Sequence, residues 1–149
     1  MSIAVHVSVE GVRIPLARAR VSEIARRVLK AERVHDAMLS LTFLGVRAMA
    51  ALNRRHLGHR GATDVISFGL GRSAPRSPVV GDIYIAPDVA RANAVKHAAS
   101  VREELTRLIV HGVLHVLGYD HALDESRLAS PMWARQERLV ARVMKDLAA

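Results

Sequence analysis

The stretch VREELTRLIVHGVLHVLG, residues 101–118, constrains the fold more than any other part of the chain. Apolar residues surround its helical axis almost completely, which is typical of a helix buried at the centre of a domain. Ser100 precedes it as a candidate N-cap, with Glu103 three residues later as in a capping box. Gly118 is suited to end it, because a left-handed C-terminal cap favours a residue without a β-carbon. Other elements must therefore pack around this helix.

The rest of the chain alternates between strand and helix patterns. Period-two alternation predicts strands over residues 3–9, 38–44, 65–68 and 79–86. Helical spacing of apolar residues predicts helices over residues 15–33, 46–57, 87–97 and 130–147, in addition to 101–118. We expect an α+β fold (mixed α/β), with a small mixed sheet of about four strands packed with about five helices. At 149 residues, one domain over residues 1–149 is expected.

Composition narrows the class of partner and the kind of metal site. The chain has no cysteine, so a bound metal must be held by histidine nitrogen or carboxylate oxygen. Its formal net charge of +8 favours a polyanionic partner such as RNA. An aromatic content of 3% argues against a base-stacking platform. If RNA binds, we expect the protein to contact mainly its phosphate backbone. No apolar run reaches about 20 residues and no secretory signal is evident, which predicts a cytoplasmic protein without a membrane partner.

Three histidines at the end of the central helix predict a metal site. His111 and His115 lie one turn apart on the same helical face, close enough to share a metal. The helix then ends near Gly118, and the following turn directs His121 towards the pair. Three ligands with one open position are typical of a catalytic zinc site, so we expect one zinc ion or another divalent metal. The isolated histidines are expected to be hydrogen-bonded core residues: His35, His56, His59 and His97.

The pattern HxxxHxxGxxH also occurs in metzincin proteases, which need a glutamate after the first histidine as general base. Here that position is Gly112, which cannot accept a proton from water. The motif therefore favours a metal-dependent hydrolase that acts on a substrate other than a peptide.

The stretch HGVLHVLGYDH, residues 111–121, resembles the HGxLHLxGYDH signature of the YbeY family of bacterial metal-dependent endoribonucleases, which act in ribosomal RNA maturation. Further agreement with the family covers Leu52, Asn53, residues 63–68 (TDVISF), residues 81–83 (GDI), Met132 and Glu137. The similarity extends over roughly residues 36–145. It implies that His111, His115 and His121 are metal ligands, usually for zinc.

The chain departs from the family before the third strand. Leu57 stands where the family has an arginine regarded as functionally important, and Ala62 replaces a proline. Either Arg60 or Arg55 reaches the same phosphate from a neighbouring position, or the activity is reduced or differently tuned. We take Arg60 as the candidate RNA-binding residue.

No catalytic base is assigned from the sequence. Asp120 is the nearest candidate, although orienting a histidine is the more common role for such a residue. Asp64 and Ser67 are candidates for lining the cleft or for structural roles.

The resemblance predicts a single-strand-specific endoribonuclease in ribosomal RNA maturation and ribosome quality control. The expected partners are single-stranded ribosomal RNA and the ribosome or its proteins, with no DNA. One alternative is an RNA-binding ribosome assembly factor with a structural metal. Another is a peptidase-like hydrolase, which Gly112 and the positive charge disfavour.

Overall fold

A computed structural model of the chain describes residues 2–58, 61–70, 76–119 and 130–148. Within these ranges it contains four β-strands and five α-helices. The strands are β1 (Ile3–Glu10), β2 (Ala37–Leu44), β3 (Val65–Gly69) and β4 (Val79–Ile85). The helices are α1 (Arg18–Ala31), α2 (Val46–Leu57), α3 (Pro87–Lys96), α4 (Val101–Val116) and α5 (Pro131–Ala148). This content confirms the predicted α+β class.

The strands form one mixed sheet in the order β1-β2-β4-β3. Strand β2 pairs parallel with both β1 and β4, and β3 pairs antiparallel with β4. In that antiparallel pair Ser67 lies opposite Ile83. This antiparallel pair makes the sheet mixed, as the sequence predicted. Among the described strands, β3 is an edge strand.

Each face of the sheet supports its own apolar cluster. The larger cluster joins the sheet to α1, α4 and α5, and includes the fully buried Leu41 and Ile83. The smaller cluster lies on the opposite face, where Met49 of α2 packs with Ile66 of β3. Alternate residues of a strand point to opposite faces, so Ser67 and Ile66 face different layers. The predicted metal helix and α2 consequently lie on opposite sides of β3.

Helix α4 is the central element of the larger layer. It contacts α1, α3, α5, β3 and β4. A methyl group built on Gly112 would lie 2.7 Å from Ile83 Cγ2, and one built on Gly81 would lie 2.5 Å from Val116 Cγ1. Both distances are shorter than van der Waals contact, so these glycines allow α4 to approach the sheet closely. The prediction of a buried central helix is confirmed.

Both ends of α4 are closed by local hydrogen bonds. The Ser100 hydroxyl accepts a hydrogen bond from the Glu103 amide at 3.0 Å. At the other end, the Gly118 amide donates to the His115 carbonyl and the Tyr119 amide donates to the Leu114 carbonyl, each at 3.0 Å. This pair of bonds is a Schellman motif, which requires the positive φ of +102° that Gly118 adopts. Both predicted caps are thus confirmed.

Two sequence-based expectations are corrected. The first helix begins at Arg18 rather than near residue 15, because Ala17 is extended with ψ of 148°. The isolated histidines His35, His56 and His97 are exposed and not in the core. His35 precedes a strand, His56 is in the last turn of α2, and His97 caps α3, so none lies on a buried face. His59 lies outside the described residues, and within the described helices none is long and apolar enough to span a membrane.

Candidate metal centre

The side chains of His111 and His115 lie together on α4, half-buried beside the sheet. Their ring centroids are 5.2 Å apart and the ring planes meet at 61°. Two imidazoles bound to one tetrahedral zinc through Zn–N bonds of about 2.0–2.1 Å have centroids about 5 Å apart, so the pair fits a shared metal. Two rings in edge-to-face contact without a metal have a similar separation. The hydrogen bonding of the rings is therefore the stronger test of a metal site.

A hydrogen bond places a proton on Nδ1 of His111. Its Nδ1 lies 2.7 Å from Oε1 of Gln136, and Nε2 of the same amide donates to Oε2 of Glu137 at 3.2 Å. An ionised carboxylate only accepts, so the amide nitrogen must face Glu137 and the amide oxygen must face His111. His111 Nδ1 therefore donates a hydrogen bond to this oxygen. In the neutral form of the ring the lone pair is then on Nε2, the nitrogen that can bind a metal.

Arg107 holds the carboxylate that orients this amide. Its guanidinium donates to both oxygens of Glu137, at 2.9 and 3.0 Å, and to Glu104 at 3.0 Å. The hydrogen bond to Glu137 is the main reason that the pKa of Arg107 lies above its ordinary value. Glu104 is only 3% exposed, so its charge depends on this guanidinium for compensation. The two carboxylates and Arg107 thus form a fixed support behind His111.

The third predicted ligand, His121, lies outside the described residues, as does Asp120. Within the described residues, no group of three histidine, cysteine, aspartate or glutamate side chains is placed to hold a metal ion. The structure therefore brings together His111 and His115 and leaves the three-ligand site as a prediction. A pair of imidazoles, with one ring held through Nδ1, suits zinc or a similar divalent cation.

The residue after the first histidine, Gly112, packs closely against the sheet. Gly112 faces Ile83 and Ser67, and a β-carbon there would lie 3.3 Å from Ser67 Oγ. The glutamate of a metzincin protease has no space to project from this position against the sheet. The same contact places Ser67 beside α4, one residue along from His111.

Asp64 has a structural role. Its carboxylate accepts a hydrogen bond from the Asn93 amide at 3.2 Å, and its carbonyl accepts from the Ala86 amide at 2.9 Å. These contacts join the start of β3 to α3. Of these two candidates for lining the cleft, Ser67 is the one that contacts α4 beside His111.

Of the two arginine candidates, Arg55 lies in the last turn of α2. Arg55 is exposed, Leu57 is 47% exposed, and Arg60 lies outside the described residues. The buried Asn53 side chain donates to the Gly61 carbonyl at 2.9 Å, which fixes the chain after α2. The choice between Arg55 and Arg60 as a phosphate ligand stays a prediction.

Gln136 is the residue of this site that the sequence interpretation missed. It is 2% exposed and lies on the buried side of α5. The available signal was its position on the apolar stripe of that helix, among Met132, Leu139, Val140 and Val143. An amide on such a stripe needs a buried partner, and here the partner is a candidate metal ligand.

Comparison with known proteins identifies the family. The sequence model of endoribonuclease YbeY matches residues 6–144. Endoribonuclease YbeY of Thermobifida fusca is 37% identical over 137 residues, and the alignment covers 86% of each chain. The chain belongs to the endoribonuclease YbeY family. The resemblance predicted from the histidine motif is thereby confirmed.

Further comparisons agree with this membership. Endoribonuclease YbeY of Frankia alni is 38% identical over 151 aligned residues, which cover 93% of this chain and 82% of the relative. The solution structure of TM1509 from Thermotoga maritima superimposes with a TM-score of 0.64, covering 97% of this chain and 91% of that one. The two are 20% identical, so this likeness supports the α+β fold alone.

Proposed function

We propose that this protein is a metal-dependent endoribonuclease that cuts single-stranded RNA during the maturation and quality control of ribosomal RNA. Membership of the endoribonuclease YbeY family makes RNA the expected substrate class. The hydrogen bond from His111 to Gln136 is the observation that best supports metal dependence, because it prepares a ligand nitrogen beside His115.

The described side chains have separate roles in the site. Gln136 keeps the proton of His111 on Nδ1, and Arg107 with Glu137 keeps the amide in that orientation. A zinc ion bound by His111, His115 and His121 would supply Lewis-acid activation of water or of a phosphate oxygen. Gly112 and Ile83 exclude water from the sheet side of α4 by close packing.

Two chemical routes are consistent with this arrangement, and neither assigns a general base. Water can attack the phosphorus directly, or the adjacent 2′-hydroxyl can attack and leave a cyclic phosphate. Analysis of the new RNA ends distinguishes the two routes, since only the second leaves a cyclic phosphate.

The cellular setting belongs to the same proposal. Family membership and the net charge of +8 support single-stranded ribosomal RNA as the substrate, with the ribosome or its proteins as further partners and the cytoplasm as the place of action.

The test is RNA cleavage by metal-quantified protein. We expect the wild type to cut single-stranded RNA, to lose activity with a chelator and to regain it with zinc. Removal of a residue that only hydrogen-bonds to a metal ligand costs roughly 10–100-fold in activity. His115→Ala removes a ligand itself, so its loss of activity should be larger. His35→Ala is the matched control, because His35 is an exposed histidine that precedes β2.

Other outcomes would favour other functions. If the wild type binds RNA without cutting it and His115→Ala binds equally well, an RNA-binding assembly factor with a structural metal is the better explanation. Cleavage of peptides without cleavage of RNA would revive the peptidase-like alternative.

A further inference from the structure

The outward surface of α2 forms an open depression of about 540 Å³, lined by Arg47, Ala50, Ala51, Arg54 and Gly61. The two arginines are both exposed and seven residues apart, which places them on the same helical face two turns from each other. At a rise of 1.5 Å per residue they are about 10 Å apart along the helix axis. Only alanine methyl groups lie between them, so a ligand can reach both guanidinium groups.

No carboxylate of the described residues compensates the charge of this surface. Helix α2 contains no aspartate or glutamate. Neither the Arg47 nor the Arg54 side chain forms a hydrogen bond or ion pair with another residue in the part of the chain that the structure describes. Other arginines of the same chain do pair with carboxylates: Arg27, Arg91, Arg107 and Arg135. The two guanidinium groups on α2 therefore remain available for an anionic ligand.

The depression is joined to the candidate metal centre by a short, fixed segment. Gly61 at its edge accepts the hydrogen bond from Asn53. Six residues later, Ser67 contacts α4 at Gly112, next to His111. Six extended residues span at most about 20 Å, which bounds the distance between the depression and the metal helix. Because α2 and α4 lie on opposite sides of β3, an RNA strand held on α2 would pass around this edge strand to reach the histidine pair.

We propose that Arg47 and Arg54 bind the phosphate backbone of single-stranded RNA and hold the strand across α2 while adjacent nucleotides reach the metal centre. This inference rests on the proposed endoribonuclease function. Two guanidinium groups over a floor of alanines suit phosphates, and the described lining residues include no aromatic ring for base stacking. Binding at this surface should accordingly show little dependence on base sequence.

The experiment compares two double variants that each remove two positive charges. Arg47→Gln/Arg54→Gln alters the proposed surface, and glutamine is nearly as good a helix former as arginine. Lys30→Gln/Arg142→Gln is the matched control, because Lys30 and Arg142 line a different depression that also holds Glu23 and Asp146. Fluorescence anisotropy with a labelled single-stranded RNA of about 16 nucleotides measures Kd between roughly 50 and 200 mM salt.

We expect Arg47→Gln/Arg54→Gln to weaken binding about tenfold at 0.1 M salt. Each lost phosphate contact should lower the slope of log Kd against log salt by about 0.7, so the double variant should lose about 1.4. In cleavage assays KM should rise while kcat changes little. Arg47→Lys/Arg54→Lys should recover most of the affinity, since lysine restores the charge. The control variant should match the wild type in Kd and slope.

Several outcomes would overturn the inference. Wild-type Kd and slope in Arg47→Gln/Arg54→Gln would show that RNA binds elsewhere, while the endoribonuclease proposal would stand on wild-type cleavage. An equal loss in the control would show a diffuse charge effect. Equal competition by a polyglutamate peptide of the same charge would favour an acidic protein partner instead of RNA. If the wild type neither binds nor cuts RNA, the inference and the proposed function both fail. Thermal unfolding of every variant verifies the fold.

Discussion

At the scale of single residues, Gln136 decides whether His111 is ready to bind a metal. Histidine has two ring nitrogens, and a metal ligand must keep one of them unprotonated. The amide oxygen of Gln136 accepts a hydrogen bond from Nδ1 because the amide nitrogen is turned towards Glu137. The ligand chemistry of His111 is thus set by a residue that never needs to touch the metal.

The main expected effect of replacing Gln136 is weaker metal binding. Gln136→Leu removes the acceptor for His111 Nδ1, so we expect zinc affinity to fall by about 10–100-fold. Competition with a chromophoric chelator measures this affinity without reference to catalysis. Gln136→Glu keeps an acceptor oxygen for Nδ1 but loses the hydrogen bond to Glu137, so its zinc affinity should lie between those of Gln136→Leu and the wild type. Unchanged zinc affinity in a folded Gln136→Leu protein would show that the hydrogen bond does not prepare the ligand.

At the scale of elements, α4 combines close packing with a sharply defined end. The contacts of Gly112 and Gly81 press the helix onto β3 and β4. The Schellman motif at Gly118 then turns the chain three residues before His121. A helix that was shifted or extended would direct the following residues elsewhere. The geometry of the end of α4 therefore controls the predicted third ligand.

Changing Gly118 should reduce both stability and metal affinity. Its φ of +102° is unfavourable for any residue with a β-carbon, so Gly118→Ala should cost about 1–2 kcal/mol in the free energy of unfolding. Gly58→Ala is the matched control, since Gly58 ends α2 with a φ of +69°. We expect a comparable loss of stability in both variants, measured by urea unfolding.

Zinc affinity should separate these two glycine variants. It should fall in Gly118→Ala, because the segment leading to His121 is redirected, and it should remain unchanged in Gly58→Ala. Equal zinc affinities in the two variants would mean that the turn at Gly118 does not aim the third ligand.

At the scale of the whole molecule, three helices meet at Glu32, the residue that caps α1. Its Oε1 accepts hydrogen bonds from the Tyr119 hydroxyl and from Arg135 of α5, both at 3.0 Å. Tyr119 follows the end of α4, so this carboxylate joins the ends of α1 and α4 to α5. Burial, followed by the hydrogen bond to Glu32, raises the pKa of Tyr119 above its usual value. The connection consequently requires a neutral phenol.

The stability contributed by Tyr119 should disappear at alkaline pH. A raised pKa in the folded state means that the unfolded chain loses its proton first, near pH 10, so stability falls as pH rises above that value. Tyr119→Phe should be about 1 kcal/mol less stable than wild type near pH 8, and the gap should close as the phenol ionises. Urea unfolding across this range measures the gap.

Tyr84→Phe serves as the control for this pH dependence. The pKa of Tyr84 is also raised, chiefly by burial, but its hydroxyl forms no hydrogen bond with a residue in the described ranges. We expect little change in stability near pH 8 for this variant. A gap between Tyr119→Phe and wild type that stays constant with pH would contradict the role of the neutral phenol.

Much of the architecture follows from local sequence. The alternating strands, the N-cap at Ser100 and the helix stop at Gly118 depend on residues within a few positions of each other, and the structure has them where the sequence predicted. The pairing of His111 with His115 is equally local, since one helical turn separates them. The family itself was recognisable from eleven consecutive residues, because spacing, glycine and turn coincide there.

Other features depended on the tertiary structure, because they join residues far apart in the chain. The exposure of His35, His56 and His97 reflects which surfaces the packed helices leave open. The partner of His111 lies 25 residues away on another helix, and Arg107 reaches Glu137 across 30 residues. The sequence by itself determined the elements and the histidine motif; only the packing of α5 against α4 decided which nitrogen of His111 holds its proton, since a hydrogen bond between helices is set by where both lie.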